Sequence, residues 1–299
     1  MNSILLFIGF LPCPANSRDD VPRGWELVWA DEFDHDGTPD KSKWDYEEGF
    51  VRNRELQYYT RARQENARVE AGSLVIEARK EKFQNPKYNP TANGRNWKDQ
   101  REFAEYTSAS LATKGKASWT YGRFEVRAKL PTGRGTWPAI WTLGTSFDKV
   151  SWPACGEIDI MENVGFDPDV IHANVHTTKY NHMLNTHKGS KITVAKPYAD
   201  FHVYAMEWHR DRLEFFVDDR LYFTFRKEND DNDVWPFDKP QYMLLNVAIG
   251  GDWGGQKGID DAIFPQRLLV DYVRVFRRSD KSSCNPPRVP QDWMSRRTD

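Results

Sequence analysis

Residues 201–225, FHVYAMEWHRDRLEFFVDDRLYFTF, decide the fold class. Three runs of aromatic and β-branched residues are separated by HRDR and VDDR, whose charged and Asp-rich tips suit tight turns, so the stretch reads as strand, turn, strand, turn, strand. Connections that short allow only antiparallel neighbours. The same texture fills the rest of the chain, where helical periodicity is almost absent and about eleven strands are expected. Candidates outside the opening stretch include WELVWADEF, SLVIEARK, YTSASLATK, GRFEVRAKL, WPAIWTLG, EIDIMENV, IHANVHTT, YMLLNVAIG and LLVDYVRVF. In GRFEVRAKL the period of two puts Phe124, Val126 and Ala128 on one face and Arg123, Glu125, Arg127 and Lys129 on the other, a core side and a wet side. An all-β sandwich or barrel follows.

The length of 299 residues fits one such domain with tails. Two polar stretches, Lys80–Arg101 and Tyr180–Ala199, read as long surface loops of the kind that often carry function. Residues 281–299 are rich in Ser, Pro and Arg without periodicity and read as a loose tail. At the other end, ILLFIGFL is too short to span a bilayer but suits the apolar core of a signal peptide. Small residues Ala15 and Ser17 form a cleavage site, so residues 1–17 are expected to be removed, 18–280 to form the folded domain, and the protein to be secreted. No later segment is apolar for long enough to cross a membrane as a helix. A formal net charge of -2 gives no field to gather nucleic acid or an anionic membrane, and neither is expected as a partner. Aromatic content of 14%, with 12 Trp, exceeds what a core of this size needs and points to flat stacking surfaces for sugar rings. Of three cysteines, Cys13 goes with the signal segment, leaving Cys155 as a buried thiol and Cys284 either free or in a disulfide. A cysteine metal site is excluded.

The chemistry concentrates in Gly156-Glu157-Ile158-Asp159-Ile160-Met161-Glu162-Asn163. Glu157 and Asp159 share a face of a strand, whereas Glu162 points the other way in a regular one. A β-bulge at Met161 returns it to the same face, and bulges re-aim side chains beside active sites. The outer two residues then stand about 13 Å apart at Cα, and long side chains leaning inward can approach the roughly 5–5.5 Å carboxyl separation of retaining glycosidases. Crowded like charges raise at least one pKa, which general acid catalysis at neutral pH requires. A solvated acidic strand face is the plain alternative, but the flanking Ile158, Ile160 and Met161 place the other face of this strand in a core.

With GEIDIMENVG stand NRELQYYT, YTSASLATKGK, YGRFEVRAKLP, GRGTWPAIWTLG, YNHMLNTHKG, FHVYAMEW, NVAIGGDWGG and VDYVRVF. Together they resemble glycoside hydrolase family sixteen, and within it the laminarinase group, from about Trp25 to Arg277. The resemblance implies a β-jelly-roll sandwich of two antiparallel sheets with a concave cleft for a β-1,3-glucan chain. It makes Glu157 the nucleophile, Glu162 the acid/base and Asp159 their assistant in an endo-acting, retaining hydrolysis. Lichenase-type members lack the inserted residue, so Met161 groups this chain with the bulged type. Trp137 and Trp141 match the family's stacking positions for sugars before the cut, although core packing also predicts aromatics there. Asn53, Glu55, His176 and Trp253 match cleft positions, with His176 equally readable as a satisfied strand histidine. No cofactor is expected for catalysis. A structural calcium on the convex side is implied, with Glu32, Gly72 and Asp271 at the matching places and oxygen donors of the right kind. The chain is expected to act as a monomer. Two rivals stand beside this reading: a non-catalytic glucan recognition protein on the same fold, which intact carboxylates argue against, and an agarase or carrageenase-like galactan hydrolase.

Overall fold

A computed structural model of the chain describes residues 21–91 and 96–279. The signal segment, Cys13, Cys284 and the tail at 281–299 lie outside the described residues. Within them run seventeen strands. In the first half these are β1 (Trp25–Asp31), β2 (Asp45–Tyr46), β3 (Gln57–Tyr59), β4 (Ala67–Glu70), β5 (Ser73–Gln84), β6 (Phe103–Ser108), β7 (Ser110–Ala112), β8 (Gly122–Lys129) and β9 (Thr136–Gly144). The second half adds β10 (Glu157–Glu162), β11 (Val170–His176), β12 (Lys188–Thr193), β13 (His202–Trp208), β14 (Arg212–Val217), β15 (Arg220–Arg226), β16 (Gln241–Ile249) and β17 (Gln266–Arg278).

The strands form two sheets. One has ten strands, along β15-β14-β13-β8-β17-β5-β6-β3 with β1 and β4 attached, and the other has seven in the order β12-β11-β10-β9-β16-β7-β2. Pairing is antiparallel apart from β3 with β6. The expected meander is there, β13 with β14 and β14 with β15. Phe124, Val126 and Ala128 are fully buried against the inner face of the seven-stranded sheet, in a core that includes Ile140, Ile158, Ile160 and Met161. The fold is the all-β jelly-roll sandwich that the strand pattern and the resemblance predict.

Three expectations change in detail. The wet side of β8 is not simply solvated: Arg123 and Glu125 are each 5% exposed and locked in an ion pair, because Glu207 of β13 and Asp219 crowd the same guanidinium. The segment Lys80–Arg101 includes the end of β5 and a short helical turn at Trp97–Gln100. The segment Tyr180–Ala199 contains β12, whose sequence KGSKIT buries only Ile192. An edge strand with so little apolar surface has no periodicity to read, and the two- to four-residue strands β2, β3, β4 and β7 have too few residues to show one.

Candidate active site

Strand β10 lies mid-sheet between β9 and β11, with Asp159 opposite Trp141 on one side and Asn174 on the other. Beyond Asp159 the register slips: Met161 pairs with Ile140 and Glu162 with Ala139, so Ile160 and Met161 together face one residue of β9. Both side chains are buried in the core. This is the expected bulge, spread over Ile160 and Met161. It returns Glu162 to the face of Glu157 and Asp159, since Ala139 and Trp141 are two residues apart on β9. The concave face therefore carries a ridge of three carboxyls.

The ridge is dry and short of cations. Asp159 and Glu162 are 4% and 8% exposed, and no ion pair from Lys or Arg reaches the three among the described residues. Burial, followed by the charge of Asp159, pushes the Glu157 carboxyl up to about 8, with His176 pulling the other way. Burial, then the charge of Glu162, raises Asp159 well above the usual carboxylate range, and it is hydrogen-bonded with Glu157. The hydrogen bond with Glu157 pulls Asp159 the other way, so the two carboxyls are linked. Burial raises Glu162 as well, against His176 and two donors. Those donors are Trp137 Nε1 at 3.0 Å to Oε1 and Asn174 Nδ2 at 2.8 Å to Oε2, which fix the plane of the carboxyl.

Each predicted site residue has a place here. His176 faces Glu157 across the β10–β11 pair, its Nε2 3.3 Å from Asp159 Oδ2 and 3.7 Å from Glu157 Oε1. Trp137 is half-buried and meets Trp253 edge to face at 5.6 Å; Trp253 in turn stands against His172. Trp141 is only 6% exposed, its indole N–H bonded to Asn246 and the Arg52 guanidinium lying across its ring, so Trp137 presents the more open surface. Asn53 and Glu55 are hydrogen-bonded to each other at 3.3 Å, and the Asn53 carbonyl accepts from the Asp252 amide. A side chain at Gly251 would come within 2.9 Å of that carbonyl, which explains a glycine there. Glu55 is buried and bonded to Gln57, and burial raises its pKa. Cys155 is a buried free thiol, pushed up to about 12 by burial.

Sequence reading missed His172, Asn174, Arg52 and Asn246. The first two had a signal: in IHANVHTT, His172, Asn174 and His176 recur at a period of two opposite the buried Ile171, Ala173 and Val175. That polar stripe on a core strand lies directly across from the carboxylate ridge. Arg52 and Asn246 come from distant segments and had none.

On the convex side, pairing registers bring Glu32, Gly72 and Asp271 to the place where β1 takes over from β5 as neighbour of β17. Neither side chain there is a free anion. Arg274 holds Glu32 by two bonds of 2.8 and 2.9 Å, and Arg127 holds Asp271 Oδ2 at 2.7 Å. Two other groups of side chains lie close enough to share a cation, Glu157–Asp159–His176 on the ridge and Glu207–His209–Glu214 on the convex sheet. Arg123 and Arg212 already neutralise the second.

Residues 55–274 match the family described as Glycosyl hydrolases family 16. The chain belongs to that family. It is 53% identical over 271 residues to a β-glucanase of Rhodothermus marinus, covering 88% of each chain. The structure of the Rhodothermus marinus laminarinase superposes with a TM-score of 0.78 at 52% identity, covering 86% of this chain and 98% of that one. A non-specific endo-β-1,3(4)-glucanase of the same family matches with a TM-score of 0.76 at 47% identity, over 87% of this chain and 93% of that one. As a family 16 member with its carboxylates intact, the chain is a glycoside hydrolase.

Proposed function

We propose that this family 16 hydrolase is a retaining endo-β-1,3-glucanase acting on laminarin-like chains, with Glu157 as nucleophile and Glu162 as acid/base. The observation that carries the reading is the bulge that sets Glu157, Asp159 and Glu162 on one face, with both oxygens of Glu162 anchored. Its glucan-cleaving relatives support the substrate. In the first step the Glu157 carboxylate bonds to the anomeric carbon as the glycosidic C–O bond breaks, and the Glu162 proton passes to the departing oxygen. Trp137 and Asn174 then stabilise Glu162 as a carboxylate. In the second step that carboxylate takes a proton from water, whose oxygen displaces Glu157. Asp159, holding a proton, hydrogen-bonds Glu157 and steadies its negative charge between the steps.

Proton NMR of the first products from laminarin should show the β-anomer before mutarotation; the α-anomer would remove Glu157 from the nucleophile role. Laminarin, lichenan and agarose digested side by side separate a glucanase from a galactan hydrolase, and an inert protein that binds laminarin would revive the recognition reading. We also assign secretion to residues 1–17 and a monomeric state to the domain, open to mass spectrometry of exported material and to size-exclusion chromatography. A structural calcium on the convex side would use the main-chain carbonyls of Glu32 and Gly72 with the second Asp271 oxygen, since arginines hold the other carboxylate oxygens.

A further inference from the structure

Away from the carboxylate ridge, where β8 ends and the chain crosses toward β9, the convex sheet carries a cavity of about 340 Å³. Small-ligand sites begin near about 300 Å³, so one sugar-sized group fits. Alternation along β17 supplies part of the wall: Leu268 and Val270 are fully buried, whereas Arg267 and Leu269 face out and line the cavity. Leu269 stands opposite Lys129 of β8, an apolar side chain on a wet face. Pro131, Pro265 and Tyr198 line the same cavity. Its shape is held by hydrogen bonds. The Leu130 amide donates to the Pro197 carbonyl at 3.0 Å, which fixes the segment bearing Tyr198. The Thr132 amide donates to Gln266 Oε1 at 3.0 Å, and Gln266 Nε2 to the Ile263 carbonyl at 2.7 Å.

The charges at this corner are cationic and incompletely matched. No carboxylate lines the cavity. Lys129 makes no ion pair among the described residues, its ammonium lying 5.6 Å from the centre of the Phe201 ring. Arg267 gives Nε to Glu77 at 2.9 Å, a carboxylate that Arg68 and Arg79 also hold. It is thus the third guanidinium on one anion, with its terminal amino groups unbonded among the described residues. The Tyr198 hydroxyl likewise has no hydrogen-bond partner among them.

These features select an occupant. A bare inorganic anion would satisfy the two cations and leave the ring of Tyr198, the prolines and Leu269 without a contact. A neutral sugar would cover the apolar walls and leave Lys129 unanswered. A pyranose that bears a charged group uses both, its C–H face on the walls and its anion between lysine and arginine. We propose that this cavity is a non-catalytic site for an acidic sugar residue, one carrying a carboxylate or a sulfate ester, with Lys129 and Arg267 on the anion and Tyr198 on the ring. It holds the enzyme on an acidic polysaccharide while the cleft on the opposite sheet acts on glucan. The assignment does not depend on which glycosidic linkage the cleft cuts.

The test is an NMR titration of the isotope-labelled full chain with two tetrasaccharides, an oligogalacturonate and a sulfated carrageenan fragment, which tell a carboxylate from a sulfate ester. Each is run beside its carboxyl-reduced or desulfated form. At least one acidic tetrasaccharide should bind with Kd of about 1 mM or tighter, and its neutralised form at least about tenfold more weakly. Lys129→Met, which keeps the aliphatic stem, should raise Kd about tenfold, Tyr198→Ala about fivefold, and Lys129→Arg should restore most of the affinity. Turnover of laminarin by all three variants should stay within about twofold of the unaltered protein. Absence of binding by both acidic sugars, equal binding of the neutralised forms, or a Kd unmoved in Lys129→Met would overturn the assignment. Inorganic sulfate that displaced the sugar at an equal concentration would reduce the cavity to a plain anion site and overturn it too. So would a loss of laminarin turnover parallel to the loss of binding, which would make the cavity part of the cleft. Cleavage of the carrageenan fragment by the unaltered protein would instead sink the glucanase reading, and would leave this site to be judged by the Kd values of the variants.

Discussion

The two sheets place acidic residues on their outer faces by the same alternation and treat them in opposite ways. On the convex sheet the buried carboxylates Glu77 and Glu125 have arginines. Glu77, almost fully buried, is met by Arg68, Arg79 and Arg267, while Arg123 gathers Glu125, Glu207 and Asp219. On the concave sheet three carboxylates stand together with a histidine, an asparagine amide and an indole beside them and, among the described residues, no Lys or Arg ion pair. Arginine pairs hold carboxylates ionised and inert. Withholding them drives protons onto the concave ridge, which makes one carboxyl an acid and leaves its neighbour free to attack. The sheet that looks less well satisfied is the one that reacts.

The contrast breaks most visibly where chemistry is removed. Glu157→Gln and Glu162→Gln should each lower kcat on laminarin by about a thousandfold or more with the near-UV circular dichroism unchanged, and Asp159→Asn by about a hundredfold. Near wild-type turnover in either glutamine variant would refute its role. On the convex sheet the outcome should invert. Arg123→Met strands Glu125 in a buried site and should cost about 3 kcal/mol, a drop in Tm of roughly 6 °C or more, with kcat of the folded protein intact. A loss of kcat there would mean the two faces are coupled.

A smaller effect concerns pH. Burial favours the neutral Glu157 carboxyl in the folded chain, lifting it from 4.5 to about 8. The stability this brings is whole below pH 4.5 and is lost as pH rises through about 8. Glu157→Gln cannot ionise, so its Tm should gain on that of the wild type by a few degrees across this window; parallel curves would show that the carboxyl is not desolvated. Smallest is the convex cation: EDTA should lower Tm by a few degrees and calcium restore it, with identical melting curves counting against an ion at Asp271.

Much of this was legible in advance because it rests on local rules. The period of two in GRFEVRAKL gave the core face of β8, and three acids with one residue too many gave the bulge. What stayed hidden depends on partners far apart in sequence. The Arg52 guanidinium covers Trp141, a strand away in space and nearly ninety positions away in the chain, so a tryptophan spacing alone could not tell an open ring from a covered one. The fate of Glu32 and Asp271 was equally invisible, since Arg274 and Arg127 decide it from other strands. Edge strand β12 escaped because its pairing uses backbone groups, to which side-chain patterns are blind.

The slip at Ile160 and Met161 has a consequence for how this chain can change length. Those two residues oppose the single Ile140, so removing one of them turns the bulge into a regular ladder in which the last glutamate still meets Ala139. Every pairing after it stays as it was, and the three acids still alternate onto one face. A deletion at any other point of β10 would reverse the face of every residue beyond it. The strand therefore contains one position where an insertion or deletion is silent to the topology, costs little more than one buried side chain, and alters only the spacing between nucleophile and acid.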